Sequence, residues 1–230
     1  MTTAIILAAG RGTRMKTSVP KQFLDLGGEP MFMKSLRVFE ESDVIDEIFL
    51  VTSEEYVEYC RQVIAKAGKF RKVRDVIIGG ERRSDSVYNA LLACEGTDYV
   101  MIHDGARPYV TEAILERTDR AVRVYSAAAV GVPSKDTVKI ADNDGFAAST
   151  PDRSRVWLIQ TPQAFSYKLI REANDLLRAE GRMDSVTDDA MIVEASGLAR
   201  VKLVEGAYSN IKITTEEDMP KRHFSDKFHI

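Results

Sequence analysis

Short apolar runs rich in β-branched residues recur along the 230-residue chain, separated by stretches of helical period. The runs are AIILA from Ala4, EIFLV from Glu47, VIIGG from Val76, YVMIH from Tyr99 and AAAVGV from Ala127. Between them, over 31–39, 54–67, 84–93 and 112–125, apolar residues fall at the spacing of one face of an amphipathic helix. A strand that is apolar on both faces has to be covered on both, and strand–helix–strand crossovers supply that cover. The alternation therefore predicts an α/β fold, a Rossmann-like, mostly parallel sheet with helices on both faces. Ligands of such sheets bind outside the carboxyl ends of the strands, which singles out the loops after Leu7, Ile78 and His103.

The pattern changes after Val132. Residues 134–157 break into short alternating pieces, DTVKI and FAAST, about Asn143-Asp144-Gly145, a hairpin signal. An isolated two-stranded hairpin is marginal in water, so this one is expected to pack on a partner subunit. The expectation is one domain over 1–230, protruding a β-hairpin dimerisation arm at about 134–157. The last stretch, 220–230, is polar and basic without a period and is expected to fray.

Composition excludes several classes of function. The formal net charge of −3 is too small, and too evenly mixed, for a phosphate-coating nucleic-acid surface, so any anionic ligand must be held by local groups. Cys60 and Cys94 belong to no CxxC or Cys/His cluster, which argues against a zinc site or a disulfide framework and suits a reducing cytoplasm. The apolar run near Met1 has no basic leader and is too short to span a bilayer. Neither nucleic acid nor membrane is expected as a partner.

Ala8-Ala9-Gly10-Arg11-Gly12-Thr13-Arg14-Met15 follows the first run. Glycines let backbone N–H groups approach an anion closely. Arg14 adds a planar, permanently charged fork, and Lys21, in Pro20-Lys21-Gln22, is a compact cation within reach of the same polyphosphate. The loop is not a GxxxxGK(S/T) phosphate loop, and Met15 stands where a dinucleotide fingerprint needs its third glycine. Alone, Gly10 and Gly12 read equally as a tight turn. The arginine and lysine that follow point to phosphates.

A first-strand LAAGxGxRM followed by PKQ resembles the sugar-phosphate nucleotidyltransferase superfamily. Further segments occur in order: Gly79-Gly80-Glu81-Arg82-Arg83-Ser84-Asp85-Ser86-Val87, His103-Asp104-Gly105-Ala106-Arg107-Pro108, Val132-Pro133-Ser134-Lys135-Asp136-Thr137-Val138-Lys139, Asp152-Arg153 with Trp157, Gln160-Thr161-Pro162-Gln163, Thr187-Asp188-Asp189-Ala190 and Asn210-Ile211-Lys212-Ile213-Thr214-Thr215. Together they resemble the 2-C-methyl-D-erythritol 4-phosphate cytidylyltransferases of the non-mevalonate isoprenoid pathway, over roughly residues 3–218.

The resemblance implies transfer of CMP from CTP to that polyol phosphate, with release of pyrophosphate. Two polyanions must then meet, so cations matter more than a nucleophile or general base; catalysis of such transfers is mainly positioning and electrostatic stabilisation. By resemblance, Arg14, Lys21, Arg153 and Lys212 are catalytic. Ala8, Ala9, Gly10, Gly12, Arg14, Lys21, Gly80, Arg83 and Ser86 would hold the nucleotide, with Gly80 and Ser86 along the cytosine. Asp104, Arg107, Thr137, Arg153, Thr161, Thr187 and Lys212 would hold the acceptor. Mg²⁺, or another divalent cation, is expected mainly on the phosphates, with no dedicated cage of protein ligands. Because Thr137 and Arg153 lie in or beside the hairpin, the family's two-fold homodimer would share each site between subunits.

Without the motifs, Lys212 is a solvated lysine beside a strand, Ser84 and Asp85 are helix N-cap residues, and Asp104 is a strand-end cap. His103 is read as structural, since no nucleophile or metal-ligand spacing accompanies it. Two other functions are weighed: a ribitol 5-phosphate cytidylyltransferase, which shares PKQF, QTPQ and NIKITT, and a non-enzymatic nucleotide-sensing module on the same fold. Against the first stand Arg83-Ser84-Asp85-Ser86-Val87, Ala106-Arg107-Pro108, Lys139, and Asp152-Arg153 with Trp157. Against the second, none of the four cations is missing. After Asp218 the chain departs from the family pattern, since Pro220 argues against an uninterrupted terminal helix. With no cyclodiphosphate synthase domain following, a monofunctional enzyme is expected.

Overall fold

The computed structural model describes residues 1–10 and 19–219. Strands β1 (Thr2–Ala8), β2 (Glu47–Thr52), β3 (Val73–Ile78) and β4 (Tyr99–Asp104) alternate with helices α1 (Met31–Glu41), α2 (Val57–Ala67), α3 (Arg83–Ala93) and α4 (Glu112–Tyr125), and β5 (Ala127–Pro133) follows. These are the runs and helical stretches expected from the sequence, except that Glu54–Tyr56 forms a separate 3-10 turn ahead of α2. The hairpin is β6 (Ile140–Ala141) and β7 (Ala147–Ser149). Two strands and two α-helices not read from the sequence follow: β8 (Trp157–Ser166), α5 (Tyr167–Ala179), α6 (Asp189–Ser196) and β9 (Lys202–Glu205).

The seven-stranded sheet has the order β3-β2-β1-β4-β8-β5-β9. All neighbours are parallel except β8, which runs antiparallel to both β4 and β5. Winding proceeds outward from β1 to β3 and then returns to the other flank of β1 at β4, and such a reversal opens a crevice at the carboxyl ends of the strands.

Alternate residues of β1 feed two separate cores. Ala4, Ile6 and Ala8 pack with Phe32, Leu36 and Phe39 of α1, Cys60 of α2, and Ile114, Leu115 and Val122 of α4. Ile5 faces the other way, onto Val87 and Leu91 of α3, Ile170 and Leu177 of α5, and Ile192 and Val193 of α6. Burying each such large side chain contributes about 1.5–3 kcal/mol, so both faces hold β1 in place. Among the described residues no helix is long and apolar enough to cross a membrane.

The hairpin turns about Asp142, whose carboxylate accepts from the N–H groups of Asp144 at 3.1 Å and Phe146 at 2.9 Å. Every residue over 139–150 is exposed. With no sheet beneath it, pairing is confined to a few residues and does not extend through DTVKI and FAAST.

Strand β8 carries Pro162 in the sheet interior, a position where proline costs a ladder bond. The register absorbs it: Gln163 faces Ala129 and Ile159 faces Gly131, so the strand bulges over the residues between. A bulge re-aims side chains, and this one turns Thr161 towards the end of β4.

Candidate active site

A cleft of about 580 Å³ opens at the carboxyl ends of β1, β3 and β4, the strand ends singled out by the sequence. Its walls include Ala9 and Gly10 after β1, Gly79 and Gly80 after β3, Asp104 after β4, and Lys21 and Lys212 from more distant turns.

The start of the glycine loop is clamped from below. Gln22, itself buried, donates from one amide nitrogen to the carbonyl oxygens of Ala8 at 2.6 Å and Gly10 at 2.7 Å. The one-turn helix Lys21–Phe23 that carries it is anchored by Phe23, stacked on Tyr56 with ring centroids 4.3 Å apart. On the opposite wall a Cβ at Gly79 would lie 2.7 Å from the Cβ of Ala9, and one at Gly80 would lie 2.4 Å from the Cβ of Asp85. Only glycine fits there. Helix α3 begins against this wall with Arg82 as its N-cap residue; Ser84 and Asp85 therefore lie inside the first turn, two and three positions past the N-cap role open to them in the sequence. The Asp85 carboxylate reaches back to accept the Arg82 N–H at 3.2 Å. The Ser86 hydroxyl accepts from the Gly80 N–H at 3.0 Å.

Asp104 is the hub of the cations. Its carboxylate lies 2.7 Å from Lys212 Nζ, 3.2 Å from Arg83 Nε and 4.0 Å from Arg107 Nε. Burial alone would raise its pKa, but Arg83, Lys212 and Arg107 hold it far below the usual carboxylate range, and the group stays ionised. Burial also works against the charge on Arg83, and Asp189 and Asp104 outweigh it, so its pKa is raised. Arg83 Nη2 donates to the buried Asp189 at 2.7 Å. Lys21 Nζ donates to the Ile213 carbonyl at 2.7 Å, so both lysines converge on the segment around 212 and 213. Asn210 locks that segment, its side-chain amide donating to the Thr161 carbonyl at 2.9 Å, while its backbone carbonyl accepts from Arg107 Nη1 at 2.8 Å. Such an array is preorganised to stabilise charge on an anion entering the cleft.

Ala9, Gly10, Lys21, Gly80, Arg83, Ser86, Asp104 and Lys212 all line the cleft. Ala8 is buried just below it. Arg107 and Thr161 are buried behind Asp104, the Thr161 hydroxyl accepting from the Asp104 N–H at 3.0 Å. Thr187 is exposed beside a smaller cleft of about 210 Å³ that shares Arg83 with the main one. Thr137 and Arg153 are exposed in the arm segment and do not line the main cleft; Arg153 Nη1 donates to the Lys135 carbonyl at 3.2 Å. Gly12 and Arg14 lie outside the described residues, as does the tail 220–230. Gln22, Asp189 and Asn210, which position the lining groups, were not singled out from the sequence, although each lies inside a motif that was.

The family profile described as 2-C-methyl-D-erythritol 4-phosphate cytidylyltransferase matches residues 2–225. A curated relative of that name from Lachnospira eligens is 48% identical over 219 residues, spanning 95% of this chain and 96% of the relative. Its counterpart from Geobacter metallireducens is 47% identical over 220 residues, spanning 94% and 93%. The crystal structure of 4-diphosphocytidyl-2C-methyl-D-erythritol synthase from Anaerococcus prevotii superposes with a TM-score of 0.82 at 35% identity, covering 94% of both chains. A cleft of fixed cations at the strand ends, carried on the fold of these enzymes and matched along almost the whole sequence, shows that the chain belongs to the 2-C-methyl-D-erythritol 4-phosphate cytidylyltransferase family.

Proposed function

We propose that the protein transfers CMP from CTP to 2-C-methyl-D-erythritol 4-phosphate, giving 4-diphosphocytidyl-2-C-methyl-D-erythritol and pyrophosphate. The observation that carries this reading is the Asp104 hub, which fixes Lys212, Arg83 and Arg107 about one ionised carboxylate beside the cleft that Lys21 enters. An oxygen of the acceptor phosphate attacks the α-phosphorus of CTP. The new P–O bond forms as the bond to the β-phosphate breaks, and the electron pair leaves with pyrophosphate. Lys21, Lys212 and, by the family pattern, Arg14 neutralise the triphosphate and the charge shifting onto the leaving group. Ala8, Ala9, Gly10 and Gly12 offer backbone groups to the nucleotide, while Gly80 and Ser86 flank the cytosine and Arg83 braces that wall.

Mg²⁺ is expected mainly on the phosphate oxygens of the substrates, and the ionised Asp104 at the cleft is a protein donor that fits it. When bound it would add positive charge between the two substrates. Asp104, Arg107, Thr161, Thr187 and Lys212 are assigned to the acceptor side. The exposed arm supports a homodimer in which Thr137 and Arg153 of the partner subunit complete the acceptor site, with the whole chain acting as one nucleotidyltransferase domain. The free, buried cysteines Cys60 and Cys94 support a cytoplasmic location, a compartment that keeps thiols reduced.

Pyrophosphate release with CTP, comparing 2-C-methyl-D-erythritol 4-phosphate against ribitol 5-phosphate, tests the reading. Rapid release with the first acceptor alone is expected. Equal or faster release with ribitol 5-phosphate assigns the alternative cytidylyltransferase activity, and CTP binding without turnover of either acceptor assigns a sensor.

A further inference from the structure

The segment 104–107 closes β4 and carries both Asp104 and Arg107; on one side β1 holds its start, Leu7 standing opposite Asp104 and accepting the Gly105 N–H at 2.9 Å. Pairing of β4 with β8 ends at Ile102, opposite Gln163. His103 sits at the root of the loop, fully buried, its ring centroid 5.1 Å from that of Phe39. Its Nε2 lies 3.2 Å from the Arg107 carbonyl oxygen, and its Nδ1 lies 3.1 Å from Thr161 Oγ1, the same oxygen that accepts the Asp104 N–H. These contacts define one pattern of protons. A carbonyl only accepts, so Nε2 carries the hydrogen. The ring is shut away from solvent, and the neutral tautomer with its hydrogen on Nε2 leaves Nδ1 as an acceptor. The Thr161 hydroxyl must then donate to Nδ1, which leaves its lone pairs facing the Asp104 N–H. One imidazole thus ties both ends of the loop, donating to its last carbonyl and orienting the hydroxyl that holds its first N–H.

We infer that His103 is a positioning residue for the acceptor side of the site, holding Asp104 and Arg107 in register through Thr161 and the Arg107 carbonyl. The inference rests on the proposed function. It also gives Thr161 an inward task, since its hydroxyl hydrogen is committed to the imidazole. A side chain that donates along one edge and accepts along the other is required, and a neutral histidine is both. A residue that only filled the space would not link the two ends.

The test is steady-state pyrophosphate release by the full chain, with thermal unfolding measured alongside, for His103→Phe, His103→Gln, Thr161→Val and the Gln/Val double variant. His103→Phe keeps a ring against Phe39 and loses both hydrogen bonds. It is expected to lower kcat/KM for the acceptor about tenfold or more, leaving KM for CTP within about twofold. His103→Gln, whose amide can donate and accept, should recover part of the loss. Because His103 and Thr161 act through one chain of bonds, the double variant should be little worse than the poorer single variant. A folded His103→Phe with wild-type acceptor kinetics, equal losses on both substrates, or additive effects in the double variant would overturn the inference. Where His103→Phe does not fold, the Gln/Val cycle decides. A wild-type protein that fails to use 2-C-methyl-D-erythritol 4-phosphate would instead overturn the proposed function and this inference with it, a result that the variant series cannot produce.

Discussion

Lys21 is buried yet keeps an ammonium group at the cleft, its Nζ held by the Ile213 carbonyl. Lys21→Ala removes one preorganised donor, and loss of such a group costs about a hundredfold or more in turnover. The expected outcome is that loss in a steady-state assay of a protein with unchanged far-ultraviolet circular dichroism; near-normal turnover would refute the assignment. The buried imidazole makes a second prediction. The His103 pKa falls from 6.5 to about 4 on folding, so between those values the unfolded chain binds a proton that the native chain does not. Stability therefore rises with pH across that window and is lost as pH falls through it. The shift corresponds to about 3 kcal/mol. Urea unfolding between about pH 4.5 and 7 should slope more steeply for the wild type than for His103→Gln, and parallel slopes would argue against a neutral native imidazole. Lys21 was legible in the sequence because a cation near a glycine loop has an evident partner in phosphate, whereas Arg83, Asp104 and Lys212 were legible only through the motifs they stand in. Gln22, Asp189 and Asn210 were not. A buried amide or carboxylate looks like a surface one until its neighbours are known, and here the neighbours are up to 106 positions away, as in the Arg83–Asp189 pair.

Elements place these groups by close approach. The β3–α3 turn lines the cleft without side chains at Gly79 and Gly80, and a Cβ on Gly80 would press on the Cβ of Asp85, which is anchored in the first turn of α3 and cannot swing away. Gly80→Ala is expected to cost about 1–3 kcal/mol of stability by overpacking, and to raise KM for CTP more than KM for the acceptor. Unchanged melting and unchanged nucleotide KM would show that the close approach is dispensable. Strands β1 to β5 and helices α1 to α4 were legible because their periods are those of buried strands and amphipathic helices. β8 was not, because Gln160, Thr161 and Pro162 suppress the apolar run in a strand whose bulge turns Thr161 towards Asp104. The signal for α5 was present: Ile170, Ala173 and Leu177 stand at helical spacing on its buried face.

At the scale of the whole molecule, the arm is the one described segment whose residues over 139–150 are all exposed, and Thr137 and Arg153 stand at its base, apart from the cleft of their own chain. The homodimer proposed above predicts complementation. Arg153→Ala should mainly weaken use of the acceptor. Mixing it with Lys21→Ala subunits should restore pyrophosphate release, because one site of each mixed dimer then receives an intact Lys21 from one chain and an intact Arg153 from the other. No recovery on mixing would mean that the site is not shared. The sequence by itself determined the parallel α/β sheet, the position of the cleft at its strand ends and the family, because periodicity and ordered short motifs are local properties of a chain. Only the tertiary structure decided that Asp104 gathers three cations, that Gln22 clamps the glycine loop and that His103 is buried and neutral between Thr161 and Arg107. Those are matters of distance and dielectric between residues remote in sequence, and they exist only once the sheet has brought them together.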